Sequence, residues 1–177
     1  MSAGIYARMA LSKHFCLSEF IDSHTAKKRA LKNMPREACE LANLKALCEN
    51  LLEPIHRLFD KPVVIVSGFR TPTLNRLLGA KRSSQHVLGE AADFVVKGVA
   101  SYDAAYTLAS VDDLNFDRMQ LVYRLTNGGS IQSWIHASHR RVGKNRGEIR
   151  TLTIDGDTRN ITSGVHKPKD LDVSKAA

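Results

Sequence analysis

The sequence predicts an α+β domain in which helices pack on a mostly antiparallel sheet, and three observations carry that prediction. Apolar residues keep a helical spacing in the first third, β-branched and alternating runs dominate from Pro62 onward, and an Asn127-Gly128-Gly129 turn joins two of the later runs. Helices first and hairpin-linked strands later is the pattern of a segregated α+β architecture. At 177 residues the chain suits one domain, since single domains commonly run to roughly 100–200 residues. Its predicted bounds are residues 1–162, with a polar tail over 163–177.

Ser18, Glu19 and Phe20 fall in a segment that reads as one or two helical turns after a serine cap. From Pro35 to Phe59 the residues Ala38, Leu41, Leu44, Leu47, Leu51, Ile55 and Leu58 recur every third or fourth position, and Pro35 suits a first turn. Pro54 is expected to kink this helix, because it lacks an N–H and its ring crowds the carbonyl four residues back. Pro62–Val66 is a β-branched run, predicting a strand buried on both faces. It delivers Arg70 to the strand's C-terminal edge. Thr71 caps a short helix that starts at Pro72 and stops before Gly79. Ala91–Val96, Met119–Leu125, Ser133–Ser138 and Glu148–Ile154 read as four further strands, with a helix over Tyr102–Ala109. The Asn-Gly-Gly turn makes the third and fourth strands a hairpin.

Composition narrows the function classes. With 43% hydrophobic and 25% charged residues this is neither a disordered nor a fibrous chain. No run approaches the roughly 18 apolar residues of a membrane-spanning helix, and residues 1–14 lack the apolar stretch of a secretory signal. The expectation is synthesis in the cytoplasm. Cys16, Cys39 and Cys48 are odd in number and match no Cys-x-x-Cys pattern, so they read as plain thiols. The net charge of +8 is concentrated: residues 118–150 hold seven arginines and lysines against Glu148 alone. Such a stretch attracts polyanions, whether anionic cell-wall polymer, acidic lipid or nucleic acid. Nucleic acid is disfavoured, because aromatic residues are only 6% of the chain and do not interleave with the arginines.

The chemistry lies in Ser67-Gly68-Phe69-Arg70, in Ser84-Gln85-His86-Val87-Leu88-Gly89-Glu90-Ala91-Ala92-Asp93, and in Trp134-Ile135-His136. A catalytic zinc site needs three protein ligands and one open position, and His86, Asp93 and His136 would meet that need. A separation of seven puts His86 and Asp93 on opposite faces of a continuous strand, so the chain must turn between them, which Gly89 permits. On the fourth strand Trp134, His136 and Ser138 share a face, giving His136 an aromatic neighbour that could wall a cleft. A lone strand histidine is more often a packed or surface residue; the joint occurrence of the three stretches is what raises the metal reading.

These motifs, with Thr71-Pro72-x-Leu74-Asn75 and Asn145-Arg146-Gly147-Glu148, resemble the zinc D-Ala-D-Ala carboxypeptidase family of murein peptidases, especially its small bacterial and phage branch, whose fold is shared with the hedgehog signalling domain. The resemblance runs from about Leu11 to Leu152. It implies Zn²⁺ held by His86, Asp93 and His136, substrate met by Arg70, Ser84 and Trp134, and peptidoglycan peptides as partners. With no signal peptide, such a protein would reach the wall through a holin or inside a virion, alongside other phage proteins. One departure stands out. The family's base is a glutamate shortly before the last histidine ligand, yet residues 118–135 contain no Asp or Glu. Ser133 and Arg124 occupy the two places where branches of the family carry the acid. His139, if a bulge turns it inward, is the first stand-in as catalytic base, ahead of Asp117 and Glu90, which read as solvated loop residues.

Overall fold

A computed structural model describes residues 9–168. The predicted serine cap of the first helix is instead Cys16, whose backbone N–H is taken by Glu19 Oε1 at 2.7 Å; the helix α1 spans Leu17–Ile21. A short helix absent from the sequence reading, α2 (His24–Lys28), follows at once, with Ser23 Oγ accepting from Ala26 N–H. The long predicted helix is present in three parts: α3 (Ala38–Leu47), a π-helical turn (Cys48–Leu52) and α4 (Glu53–Phe59). In the π turn the N–H of Glu53 reaches back five residues to Cys48 O. Widening the helix just ahead of Pro54 accommodates a residue that cannot donate and whose ring crowds the carbonyl four residues back.

Six strands follow in one sheet: β1 (Val63–Ser67), β2 (Ala91–Val96), β3 (Arg118–Leu125), β4 (Ile131–Ser138), β5 (Glu148–Asp155) and β6 (Thr158–Ser163). Their order is β1-β2-β4-β3-β5-β6, and every pairing is antiparallel except β3 with β5. The predicted α+β class and the β3–β4 hairpin are therefore present. The prediction for β1 needs correction. It is an edge strand, and Val64 and Val66 are 45% and 56% exposed, so its β-branched run is covered on one face alone. The strand β6, which the sequence reading also passed over, turns back on β5 at Gly156, a residue with φ +54°. Two helices complete the fold, α5 (Pro72–Leu77), capped as predicted by Thr71 Oγ1, and α6 (Ser101–Ala109).

The two faces of the sheet have different fates. Ala92, Phe94, Leu121, Ile135 and Ala137 point to one face, where they form a single core with Phe20, Leu44, Leu47, Leu51, Leu52, Ile55 and Leu108 of the helices. The other face carries a smaller buried cluster of Val122, Leu152 and Ile154 with Trp134. That face is where the polar motif residues emerge. Beyond β6, Val165 packs on the core and His166 N–H donates to Thr151 Oγ1 at 3.0 Å. The rest of the predicted tail, residues 169–177, lies outside the described residues. Among the described residues no helix is long and apolar enough to cross a membrane. The three cysteines are unpaired, and burial pushes the Cys48 thiol well above its ordinary range.

Candidate metal centre

Antiparallel pairing sets Asp93 of β2 directly across from His136 of β4 and, after a register shift in β1, directly across from Ser67. His86 reaches the same point from a loop outside the sheet. Successive turns fold that loop, with Val87 N–H on Ser84 O and Glu90 N–H on Gln85 O, and Arg70 N–H donates to His86 O at 3.1 Å. Gly89 makes the reversal at φ +73°, where a Cβ would stand 2.5 Å from Glu40 O. Only glycine meets both demands. The turn anticipated between His86 and Asp93 is thus made at Gly89.

The loop carrying Arg70 is braced just as closely. A Cβ on Gly68 would lie 2.6 Å from Phe20 Cα, so glycine lets β1 run against α1. Asn33, which the sequence reading did not single out, is buried and donates to Ile21 O and Phe69 O while accepting from Thr71 N–H. It ties the segment before α3 to the Ser-Gly-Phe-Arg loop. No local signal marked it, because a brace of this kind is visible only once distant segments meet.

At the centre His86, Asp93 and His136 each offer a ligand atom, all within 4.8 Å of one another. His86 Nδ1 lies 2.7 Å from Gly68 O, and since a carbonyl only accepts, that nitrogen carries the proton. Its Nε2 lone pair then faces Asp93 Oδ1 at 3.4 Å. Two acceptors directed at one another call for a cation between them, and an imidazole oriented by a backbone carbonyl is the usual arrangement of a metal-ligating histidine. His136 Nδ1 lies 2.8 Å from the same Asp93 oxygen. The donor set, two imidazoles and a carboxylate, fits zinc. Burial holds the His86 imidazole below its ordinary range, hence neutral as a ligand must be. Burial alone would raise Asp93, but the hydrogen bond from His136 helps to keep it well below the carboxylate range.

Arg70 closes the other side of Asp93. Its Nη2 donates to Asp93 Oδ2 at 2.8 Å, and Nε and Nη2 both donate to Ser67 Oγ. A cleft of about 670 Å³ opens above this cluster, lined also by Ser84, Trp134, Gln120 and Arg124. Arg70, Ser84, Trp134, His86, Asp93 and His136 therefore share one cavity. Gln120 stands opposite His136 on β3, and His24 of α2 lines the cleft; neither was anticipated.

The stand-in bases are elsewhere. His139 is buried beyond the end of β4, with Nδ1 3.0 Å from Asn115 O and from Asn145 Nδ2, and it lines a separate cavity of about 470 Å³. No bulge turns it inward. Asp117, read from the sequence as solvated, is fully buried and ion-paired to Arg146 and Arg140. Burial would raise its carboxyl, yet Arg146 and Arg140 hold it low. Glu90 lines neither cavity. Ser133, at an odd position of β4, shares the face of Ile135 and not that of His136. Among the described residues the carboxylates lining the metal cleft are Asp93 and Asp22, and Asp22 is paired with Lys27.

The basic stretch also divides. Arg118 and Arg150 pair with Glu148, and Arg140 and Arg146 pair with Asp117, leaving Arg124 in the cleft and Arg141 and Lys144 beside His139. It is an internal charge network more than one cationic face. A family model described as peptidase M15 matches residues 13–136, and no curated protein matches significantly.

Proposed function

This chain belongs to the peptidase M15 family, a zinc D-Ala-D-Ala carboxypeptidase-like family, and on that premise we propose that it hydrolyses a D-amino-acid-containing peptide bond in murein stem or cross-link peptides. The observation that carries the reading is the His86, Asp93, His136 cluster at the floor of a cleft that Arg70 also lines. Zinc held by those three side chains would polarise the scissile carbonyl and acidify a water.

The chain's own residues supply the rest. Arg70 uses Nε and Nη2 on Ser67 and Asp93, so its Nη1 is available to a peptide carboxylate or carbonyl. Ser84 offers a hydroxyl to the peptide backbone, and Trp134 walls the cleft against water. His86, neutral and locked by Gly68 O, cannot rotate away. The hedgehog-like form of the fold and an origin in a phage or prophage, with delivery to the wall through a holin or virion, belong to the same proposal.

One observation favours a second reading. Among the described residues the cleft's carboxylates are Asp93, paired with Arg70 and taken as a metal ligand, and Asp22, paired with Lys27, and loss of a general base costs about 10²–10⁴ in rate. The fold would then serve as a structural virion component or a wall-binding protein, with metal retained for folding. Mass spectrometry of zinc-loaded protein incubated with defined stem and cross-linked peptides separates the two. Cleavage that disappears in His86→Ala establishes the peptidase and identifies the bond. A folded, zinc-bound protein that leaves every peptide intact establishes the second reading.

A further inference from the structure

The register of the sheet lays the cleft out as a grid. Across β4, β3 and β5 one row reads His136, Gln120 and Arg150; the next on the same face reads Trp134, Val122 and Leu152; the next reads Gln132, Arg124 and Ile154, with Arg159 of β6 opposite Ile154. The metal row is thus followed by an apolar row and then by a row holding two arginines. Val122, Leu152 and Ile154 are buried beneath this surface, with Trp134 packed against them. Arg124 and Arg159 are exposed, line the cleft, and have no carboxylate partner among the described residues. Arg118 and Arg150 on the same face are both occupied by Glu148.

The Arg124 guanidinium, though exposed, has a neighbour. It sits 5.1 Å from the centre of the Trp134 ring, which orients its fork and leaves its N–H edge open. Trp134 lies two residues and Gln132, opposite Arg124, four residues along β4 from His136, so a guanidinium leaning back over Trp134 stands roughly 7–13 Å along the strand from the metal cluster. Arg159 is two strands from Arg124, roughly 10 Å between backbones, close enough for both side chains to converge on one anion. Arg70 and Arg124 line the same cleft and so face a common space.

We propose that Arg124, seated on Trp134, and Arg159 form a carboxylate subsite that selects peptides carrying an acidic group about two to four residues from the scissile bond. This rests on the peptidase reading for the identity of that bond. The apolar row between metal and arginines would bed the intervening residues, and the arginines would grip the carboxylate through charge-assisted forked hydrogen bonds. The place at which the family's acid is missing becomes, in this chain, a determinant of substrate charge.

The test uses two terminally blocked synthetic peptides that differ only in a carboxylate or a carboxamide at that position, with binding measured by calorimetry on the full chain with and without zinc. The acidic peptide binds at least about tenfold more tightly, as a charge-assisted pair predicts. Arg124→Gln and Arg159→Gln each reduce that preference, while Arg141→Gln, an exposed cation outside the cleft, leaves it intact. Equal binding of both peptides, or equal loss of preference in all three variants, overturns the subsite. His86→Ala tests the other reading separately. If wild-type protein neither binds zinc nor cleaves while the charge preference stands, the peptidase reading fails and the subsite survives.

Discussion

Arg70 and Asp93 are joined at 2.8 Å by a hydrogen-bonded ion pair in which both side chains are nearly buried. Asp93 is therefore met from two directions, by Arg70 on Oδ2 and by His136 Nδ1 on Oδ1. Removing one partner of a buried pair typically costs about 3–5 kcal/mol, because the remaining charge is stranded. Arg70→Met should lose stability of that order in chelator-treated protein. With zinc bound the loss should shrink, since the metal neutralises the same carboxylate. Urea unfolding with chelator and with zinc measures both, and equal losses would mean that no metal is held at Asp93.

Metal itself should stabilise the chain by mass action. A ligand at a hundred times its dissociation constant adds about 2.7 kcal/mol to the folded state. Zinc should raise the unfolding temperature of the wild type, and His86→Ala or Asp93→Asn should abolish both the rise and the bound zinc measured by elemental analysis. An undiminished rise in Asp93→Asn would locate the metal elsewhere.

Gly89→Ala should damage the site without touching a ligand. At φ +73° a non-glycine residue costs roughly 1–2 kcal/mol, and the added Cβ would collide with Glu40 O at 2.5 Å. The loop must move away from α3, and it carries His86. Destabilisation above about 2 kcal/mol with weakened zinc affinity is expected. Gly79→Ala, also at positive φ but with open space around its Cβ, should keep normal zinc affinity. If the two variants bind zinc equally, the collision at Glu40 does not govern the loop.

The sequence made the metal cluster legible because its parts obey local rules. Alternation along β4 fixes the face of His136, and a glycine between His86 and Asp93 can reverse the chain. What escaped depended on distant pairing. That β1 is an edge strand follows from sheet order, which a β-branched run does not encode; likewise Asp117 looks solvated until Arg140 and Arg146 fold over it. His139 follows the same logic, since only the meeting of residues 115 and 145 shows which cavity it enters. Arg124 was conspicuous as a missing acid, but its seat on Trp134 needed the register of the hairpin.

Glu53 gives the fold an acid-sensitive clasp outside the candidate metal cleft. It is buried at the start of α4, accepting from Ser12 Oγ, from His14 N–H and at 2.7 Å from the His14 ring, so it anchors the segment ahead of α1. Burial alone would raise its carboxyl, but the hydrogen bonds from His14 and Ser12 outweigh it and hold the pKa at about 2 against an ordinary 4.5. A carboxylate depressed in the folded state contributes stability that is fully present above the unfolded value and is lost as pH falls through the folded one. The window is therefore pH 4.5 down to about 2, and the contribution at neutral pH is of the order of 3 kcal/mol. Glu53→Gln should lose most of that at pH 7, where the ionised side chain is the better acceptor. Its stability should also fall less steeply than the wild type's between pH 4.5 and 2.5. Urea midpoints measured across that range check it, and parallel acid profiles for the two proteins would show that Glu53 does not control acid unfolding.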